Sequence, residues 1–153
     1  MYQKVLVPLD GSKIAESALN HVRILAKDGA LGEVILLNVF IVAVPHISDP
    51  RYGGSIDINI LKKDYQERSM QYLTKAKSKL SLEGLTVKTE SIEGSSAAYA
   101  IADYTQNNGV DLIIMATHGY TGIKRMLLGS VAHQVLNESP VPVLLIRPET
   151  VSR

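Results

Sequence analysis

Short continuous apolar runs alternate along this chain with stretches in which apolar residues recur every third or fourth position. Lys4-Val-Leu-Val-Pro-Leu9, Glu33-Val-Ile-Leu-Leu-Asn-Val-Phe40 and Leu112-Ile-Ile-Met-Ala116 are bounded by turn residues. Runs of that length predict strands buried on both faces, as in a parallel sheet. Leu85-Thr-Val-Lys-Thr-Glu-Ser91 alternates instead and predicts a strand exposed on one side. Val141-Pro-Val-Leu-Leu-Ile-Arg147 is the last strand. Between them, Ile14, Ala18, Leu19, Val22, Leu25 and Ala26 fall at helical spacing. A second helix is predicted over 58–82, with Leu61, Tyr65, Tyr72, Leu73, Ala76 and Leu80 inward. A third over 96–107 turns Ala97, Ala98, Ile101, Ala102 and Thr105 inward, and a fourth runs through Val131, Ala132, Val135 and Leu136. Gly29 and Gly32 are expected to stop the first helix, Gly84 the second and Asn108-Gly109 the third.

Strands alternating with helices predict an α/β fold, a doubly wound and mostly parallel five-stranded sheet with helices on both faces. Such sheets bind ligands at the carboxyl ends of strands, where the strand order reverses. Two strands end in suitable loops: the first at Pro8-Leu9-Asp10-Gly11-Ser12, the fourth at Ala116-Thr-His-Gly119. If they are neighbours, the crevice between them is the site. Pro142 cannot donate to a ladder, so the last strand is expected at a sheet edge. An open apolar edge aggregates unless covered, which predicts a homodimer paired through Val141 to Arg147. The alternative is a short protected edge with Pro142 at its first position. Residues 41–57, rich in proline and glycine, predict a long loop that covers a site or moves.

Composition narrows the function. One domain, residues 1–153, is expected from the length. A formal net charge of +1 without a basic stripe gives no case for nucleic acid, and the lysines of the second helix are interleaved with Asp64 and Glu67. No cysteine is present, and His21, His46, His118 and His133 lack metal-ligand spacing. No apolar run approaches the ~20 residues of a membrane span. The chain enters a strand at once, so a cytoplasmic protein is expected by default.

The chemistry concentrates between Asp111 and Ile146. Here a strand leads into a loop carrying Gly119 and Gly122, and Gly129-Ser130 then opens a helix. That order aims backbone N–H groups at an anion. The plainer reading is that the glycines only turn the chain and Ser130 caps the helix. Asp10 either makes a turn with Gly11 or, with Ser12 capping the helix, is free to accept a ribose hydroxyl or hold Mg²⁺ between phosphates. Lys124 and Arg125 lie in the glycine loop. There is no Gly-x-x-x-x-Gly-Lys-Ser/Thr, no Gly-x-Gly-x-x-Gly after the first strand and no Gly-x-Ser-x-Gly elbow.

These residues resemble the universal stress proteins over essentially the whole chain. The resemblance rests on Val5-Leu-Val-Pro-Leu-Asp-Gly-Ser12, Asp111-Leu-Ile-Ile-Met-Ala-Thr-His-Gly119, Leu128-Gly-Ser-Val131 and Pro140-Val-Pro-Val-Leu-Leu-Ile146. The ATP-binding branch carries Gly-x-x-Gly, nine residues, then Gly-Ser/Thr. Gly119, residues 120–128 and Gly129-Ser130 match it, and Ala116 replaces the first glycine. The resemblance implies an adenine nucleotide alpha hydrolase-like fold with strand order 3-2-1-4-5, and dimers paired through the last strand. It further implies adenine near Val39 and Met115, and Pro8, Leu9 and Asp10 along the ribose and base. Ala116, Thr117, His118 and Gly119 would face the ribose and first phosphate. Gly129, Ser130 and Val131 would hold the terminal phosphates through backbone N–H groups and the Ser130 hydroxyl.

The expected function is therefore a homodimeric, nucleotide-responsive stress or regulatory factor that binds ATP, or AMP or ADP, with Mg²⁺. No residue stands out as a base to activate water, so slow hydrolysis at most is expected. The rivals are a nucleotide-free interaction module of the same fold and an adenylyl-transferring or nucleotide-hydrolysing enzyme.

Overall fold

The computed structural model describes residues 1–43, 57–80, 84–118 and 128–148. Five strands, β1 (Tyr2–Pro8), β2 (Leu31–Phe40), β3 (Thr86–Glu93), β4 (Leu112–Ala116) and β5 (Val143–Ile146), form one sheet in the order β3-β2-β1-β4-β5. Every pairing is parallel. The order reverses between β1 and β4, which are neighbours, and β5 lies at an edge with Pro142 just before it.

Period-two alternation in the buried strands feeds two cores. Val5, Val7, Val34, Leu36, Leu112 and Ile114 turn to one face. There they meet Ala15 of α1 (Lys13–Glu16), Leu19 and Val22 of α2 (Ala18–Lys27), and Leu73 and Ala76 of α3 (Ile58–Ser78). Leu6, Ile35, Leu37, Ile113 and Met115 turn to the other face. They pack on Ala98 and Ile101 of α4 (Ala97–Asn107) and on Ala132 and Val135 of α5 (Ser130–Glu138). Below the site, the Asp111 carboxylate accepts the N–H groups of Gln3 (2.7 Å) and Lys4 (3.1 Å), clamping the start of β1 to β4.

Three local expectations change, the simplest being that the helix expected over 58–82 ends at Ser78, short of Gly84. The first predicted helix is two, because the Ser17 N–H and hydroxyl both donate to the Ile14 carbonyl (3.1 and 2.6 Å) and end α1 in a tight turn. Gly32 does not stop a helix; it lies inside β2, where a Cβ would come within 2.6 Å of the Gln3 carbonyl oxygen. Gly29 does follow the helix end, with φ of 68°, a left-handed conformation that costs glycine least. The loop expected over 41–57 lies almost wholly outside the described residues.

Candidate functional site

At the carboxyl ends of β1 and β4 lies a cavity of about 280 Å³. Its floor and walls are Pro8, Leu37, Val39 and Met115 from the strands, with Ala97 and Ile101 of α4 and Val131 and Ala132 of α5. Leu9, Asp10, Ala15, Ala116, Thr117, His118, Gly129 and Ser130 complete the lining. The space exists because small side chains stand where two helices approach the strand ends. Ala15, Ala97, Ala116, Ala132 and Gly129 leave a gap that leucines would fill. The volume sits near the low end of the ~300–1,000 Å³ usual for small-molecule sites, and the mix of apolar wall and polar rim is also usual.

The structure thus brings Pro8, Leu9, Asp10, Val39, Met115, Ala116, Thr117, His118, Gly129, Ser130 and Val131 around one space. Gly119, Gly122, Lys124 and Arg125 lie outside the described residues. Ala15, Leu37, Ala97, Ile101 and Ala132 also line the cavity and were not singled out. Ala97, Ile101 and Ala132 read only as apolar helical positions and Leu37 only as part of a buried strand, which equally fits close packing, and Ala15 carries no signal.

The rim is built by the backbone. Asp10 Oδ1 accepts from the Ser12 N–H (2.9 Å) and the Ser12 hydroxyl (2.6 Å), while Ser12 Oγ accepts from the Ala15 N–H (3.0 Å). Ser12 therefore caps α1 as expected. Asp10, however, is not left free by that cap: it holds the turn, which Gly11 completes with φ of 91°. Across the mouth, the Thr117 hydroxyl meets His118 Nδ1 at 2.9 Å.

At α5 the capping position is Gly129, not Ser130, and no side chain among the described residues caps the helix. The plain reading of Ser130 as a cap fails. The Gly129 N–H is also committed, donating to the Thr117 carbonyl at 2.7 Å, so it is not a group that meets a phosphate. The first intrahelical bond runs from the His133 N–H to the Gly129 carbonyl (2.9 Å). The N–H groups of Ser130, Val131 and Ala132 precede it and have no partner among the described residues.

A second edge without partners among the described residues lies at the end of β2. In a parallel ladder alternate residues bond to opposite neighbours. Leu37 accepts from the Leu9 N–H (2.8 Å) on the β1 side, and Phe40 accepts from the Gly94 N–H (3.1 Å) on the β3 side. Val39 therefore turns its N–H and carbonyl toward β1, whose register with β2 has ended at Pro8↔Leu37. One donor and one acceptor, side by side, face the space that β1 vacates.

Comparison with known proteins agrees with this architecture. The universal stress protein family model matches residues 1–147. A universal stress protein of Methanocaldococcus jannaschii, MJ0531, is 34% identical over 96% of this chain and 83% of its own. The solved structure of MJ0577, from the same organism, superposes with a TM-score of 0.81 at 34% identity, covering 98% of this chain and 99% of that one. A universal stress family protein from Arabidopsis thaliana, solved with AMP bound, shares the fold at 15% identity, with a TM-score of 0.60 over 97% and 93% of the two chains. With its sheet order, its cavity at the strand reversal and these matches along nearly its whole length, the chain belongs to the universal stress protein family.

Proposed function

We propose that the cavity binds an adenine nucleotide and that the protein is a nucleotide-responsive regulatory factor working as a homodimer. The observation that carries the reading is the pair of unsatisfied backbone edges bordering one apolar cavity. Val39 offers an N–H beside a carbonyl. That pattern is complementary to N1 and the N6 amine of adenine, and not to the corresponding edge of guanine or hypoxanthine. Met115, Leu37 and Ile101 supply apolar surface for a ring. At α5, the N–H groups of Ser130 and Val131 with the Ser130 hydroxyl offer donors to phosphate, and the helix dipole adds ~0.3–1 kcal/mol. A family member solved with AMP bound is consistent with that ligand class.

The described residues fit Mg²⁺ only as a companion of the nucleotide. No group of three His, Cys, Asp or Glu side chains that could hold a metal occurs among them. Among the described residues of the lining, Asp10 is the one carboxylate. One carboxylate plus phosphates and waters is an ordinary Mg²⁺ set, with Asp10 as its protein ligand.

The dimer would pair β5 with its two-fold mate. In support, β5 is an edge strand, and Leu144, 38% exposed, is a large apolar side chain on it; the strand's length of four residues favours the short protected edge instead.

The test is to denature freshly purified protein and identify any released nucleotide, then to titrate the emptied protein with Mg-ATP and Mg-AMP. Nucleotide near one per chain is expected, and at 100 times Kd the ligand should add about 2.7 kcal/mol of stability. A protein that is empty, and whose melting is unmoved by millimolar nucleotide, would leave an interaction module of this fold instead.

A further inference from the structure

We propose that Asn38 is a positioning residue that holds the adenine-reading edge of Val39 open, an inference that rests on the nucleotide reading above. The next ladder bond after Leu9 N–H to Leu37 would run from the Val39 N–H to the Leu9 carbonyl. It is not made. The Leu9 carbonyl instead accepts from the Asn38 side-chain amide at 2.7 Å.

Asn38 lies between Leu37 and Val39 on β2, so its side chain turns to the sheet face opposite theirs, toward α3. There its Oδ1 accepts from the Ser69 hydroxyl (2.6 Å), and Ser69 Oγ accepts from the Ser91 hydroxyl (2.6 Å). The sense of this relay is fixed by chemistry. A main-chain carbonyl only accepts, so the amide nitrogen faces Leu9 and the amide oxygen faces Ser69. Ser69 is 6% exposed, one of few buried polar residues in the described core. Side chains from β2, α3 and β3 thus form one relay that ends on the backbone oxygen of Leu9, just past β1.

The consequence concerns specificity. While Asn38 holds the Leu9 carbonyl, the Val39 N–H stays available to an acceptor on the base. Without the amide, that carbonyl is released to the Val39 N–H and the ladder extends by one bond. The cavity remains, but the donor that reads N1 is lost.

The experiment compares AMP with inosine monophosphate, whose ring presents a donor at N1 and an oxygen at position 6, opposing both Val39 groups. Wild-type protein is expected to prefer AMP by on the order of tenfold or more. Asn38→Leu, which keeps the branched shape and removes the amide, should bind both with nearly equal affinity. Ser69→Ala should fall between, and Ser69→Thr, which keeps the hydroxyl, should retain the preference. In the nucleotide-free proteins, the Val39 amide should exchange with solvent quickly in the wild type and more slowly in Asn38→Leu. If Asn38→Leu does not fold, Ser69→Ala decides by the same ratio. A loss of affinity shared equally by the two nucleotides, with the preference kept, would overturn the role of Asn38. So would a Val39 amide protected in nucleotide-free wild type. Wild type that binds neither nucleotide would instead remove the nucleotide reading itself.

Discussion

The Gly129 N–H donates to the Thr117 carbonyl at 2.7 Å, so the chain that leaves β4 returns to α5 beside its point of departure. That bond sets the start of α5 against the end of β4. It places the donors of Ser130 and Val131 on the cavity that Met115 and Ala116 border.

Gly129→Pro breaks this bond. The φ of Gly129 is −69°, close to the value that proline imposes, but the ring deletes the N–H donor and sets a carbon against the Thr117 carbonyl, so the closure opens. Nucleotide affinity should fall about tenfold or more, with helix and strand content unchanged by circular dichroism. Wild-type affinity in this variant would show that the closure does not position the phosphate donors.

Ala116 tests how tightly the wall is fitted. It is buried at the end of β4, opposite Ile146 in the ladder, and lines the cavity. Ala116→Val should weaken nucleotide binding by about 1–3 kcal/mol through overpacking. Ala116→Gly should bind at least as tightly as wild type while costing about 0.5–1 kcal/mol of stability. Isothermal titration and thermal melts separate the two effects. Equal affinities for all three residues would place the ligand away from this wall.

Leu144 reports on the edge. Leu144→Lys puts a charge on the exposed side of β5 and should give monomers or insoluble protein if β5 pairs with its mate. Sedimentation equilibrium distinguishes these from an unchanged dimer, which would exclude edge pairing. A monomeric wild type would point to the short protected edge.

Tyr72 predicts an alkaline limit. Its hydroxyl is buried near Glu16 and the Gly11 backbone, with no hydrogen bond of good geometry among the described residues, and burial, followed by the Glu16 carboxylate, pushes its pKa upward. Its ordinary pKa of ~10 applies in the unfolded chain, so the folded state holds the proton more tightly. The resulting stabilisation is complete below that value and is lost as pH rises toward the folded pKa. Tyr72→Phe should be as stable as wild type at pH 7, or more stable by up to about 1 kcal/mol, and should lose less stability above pH ~10. Urea melts across that range measure both. A marked loss at pH 7 would mean that the hydroxyl has a partner.

Much of this was legible without coordinates, because the buried strands carry their signal in consecutive residues. Leu112 to Ala116 fits a strand shielded on both faces, and β4 occupies those residues. Proline at 142 foretold an edge, and Ser12 foretold a cap. The alternation foretold a parallel sheet; its strand order came from the family resemblance, which rested on the Gly129-Ser130 spacing with its flanking runs. These properties depend on period, on one missing N–H or on one short side chain, and sequence records all three.

What required the folded chain was the fate of individual hydrogen-bonding groups. That Asp10 is engaged by Ser12, that Gly129 bonds Thr117, and that Asn38 rather than Val39 takes the Leu9 carbonyl are choices among partners distant in sequence or equivalent in type. Likewise, the same alanine spacing leads Ala98 into the core and Ala97 to the cavity wall. Sequence determined which faces are buried. Only the tertiary arrangement decided which donors and acceptors are left over, because that depends on where β1 stops relative to β2.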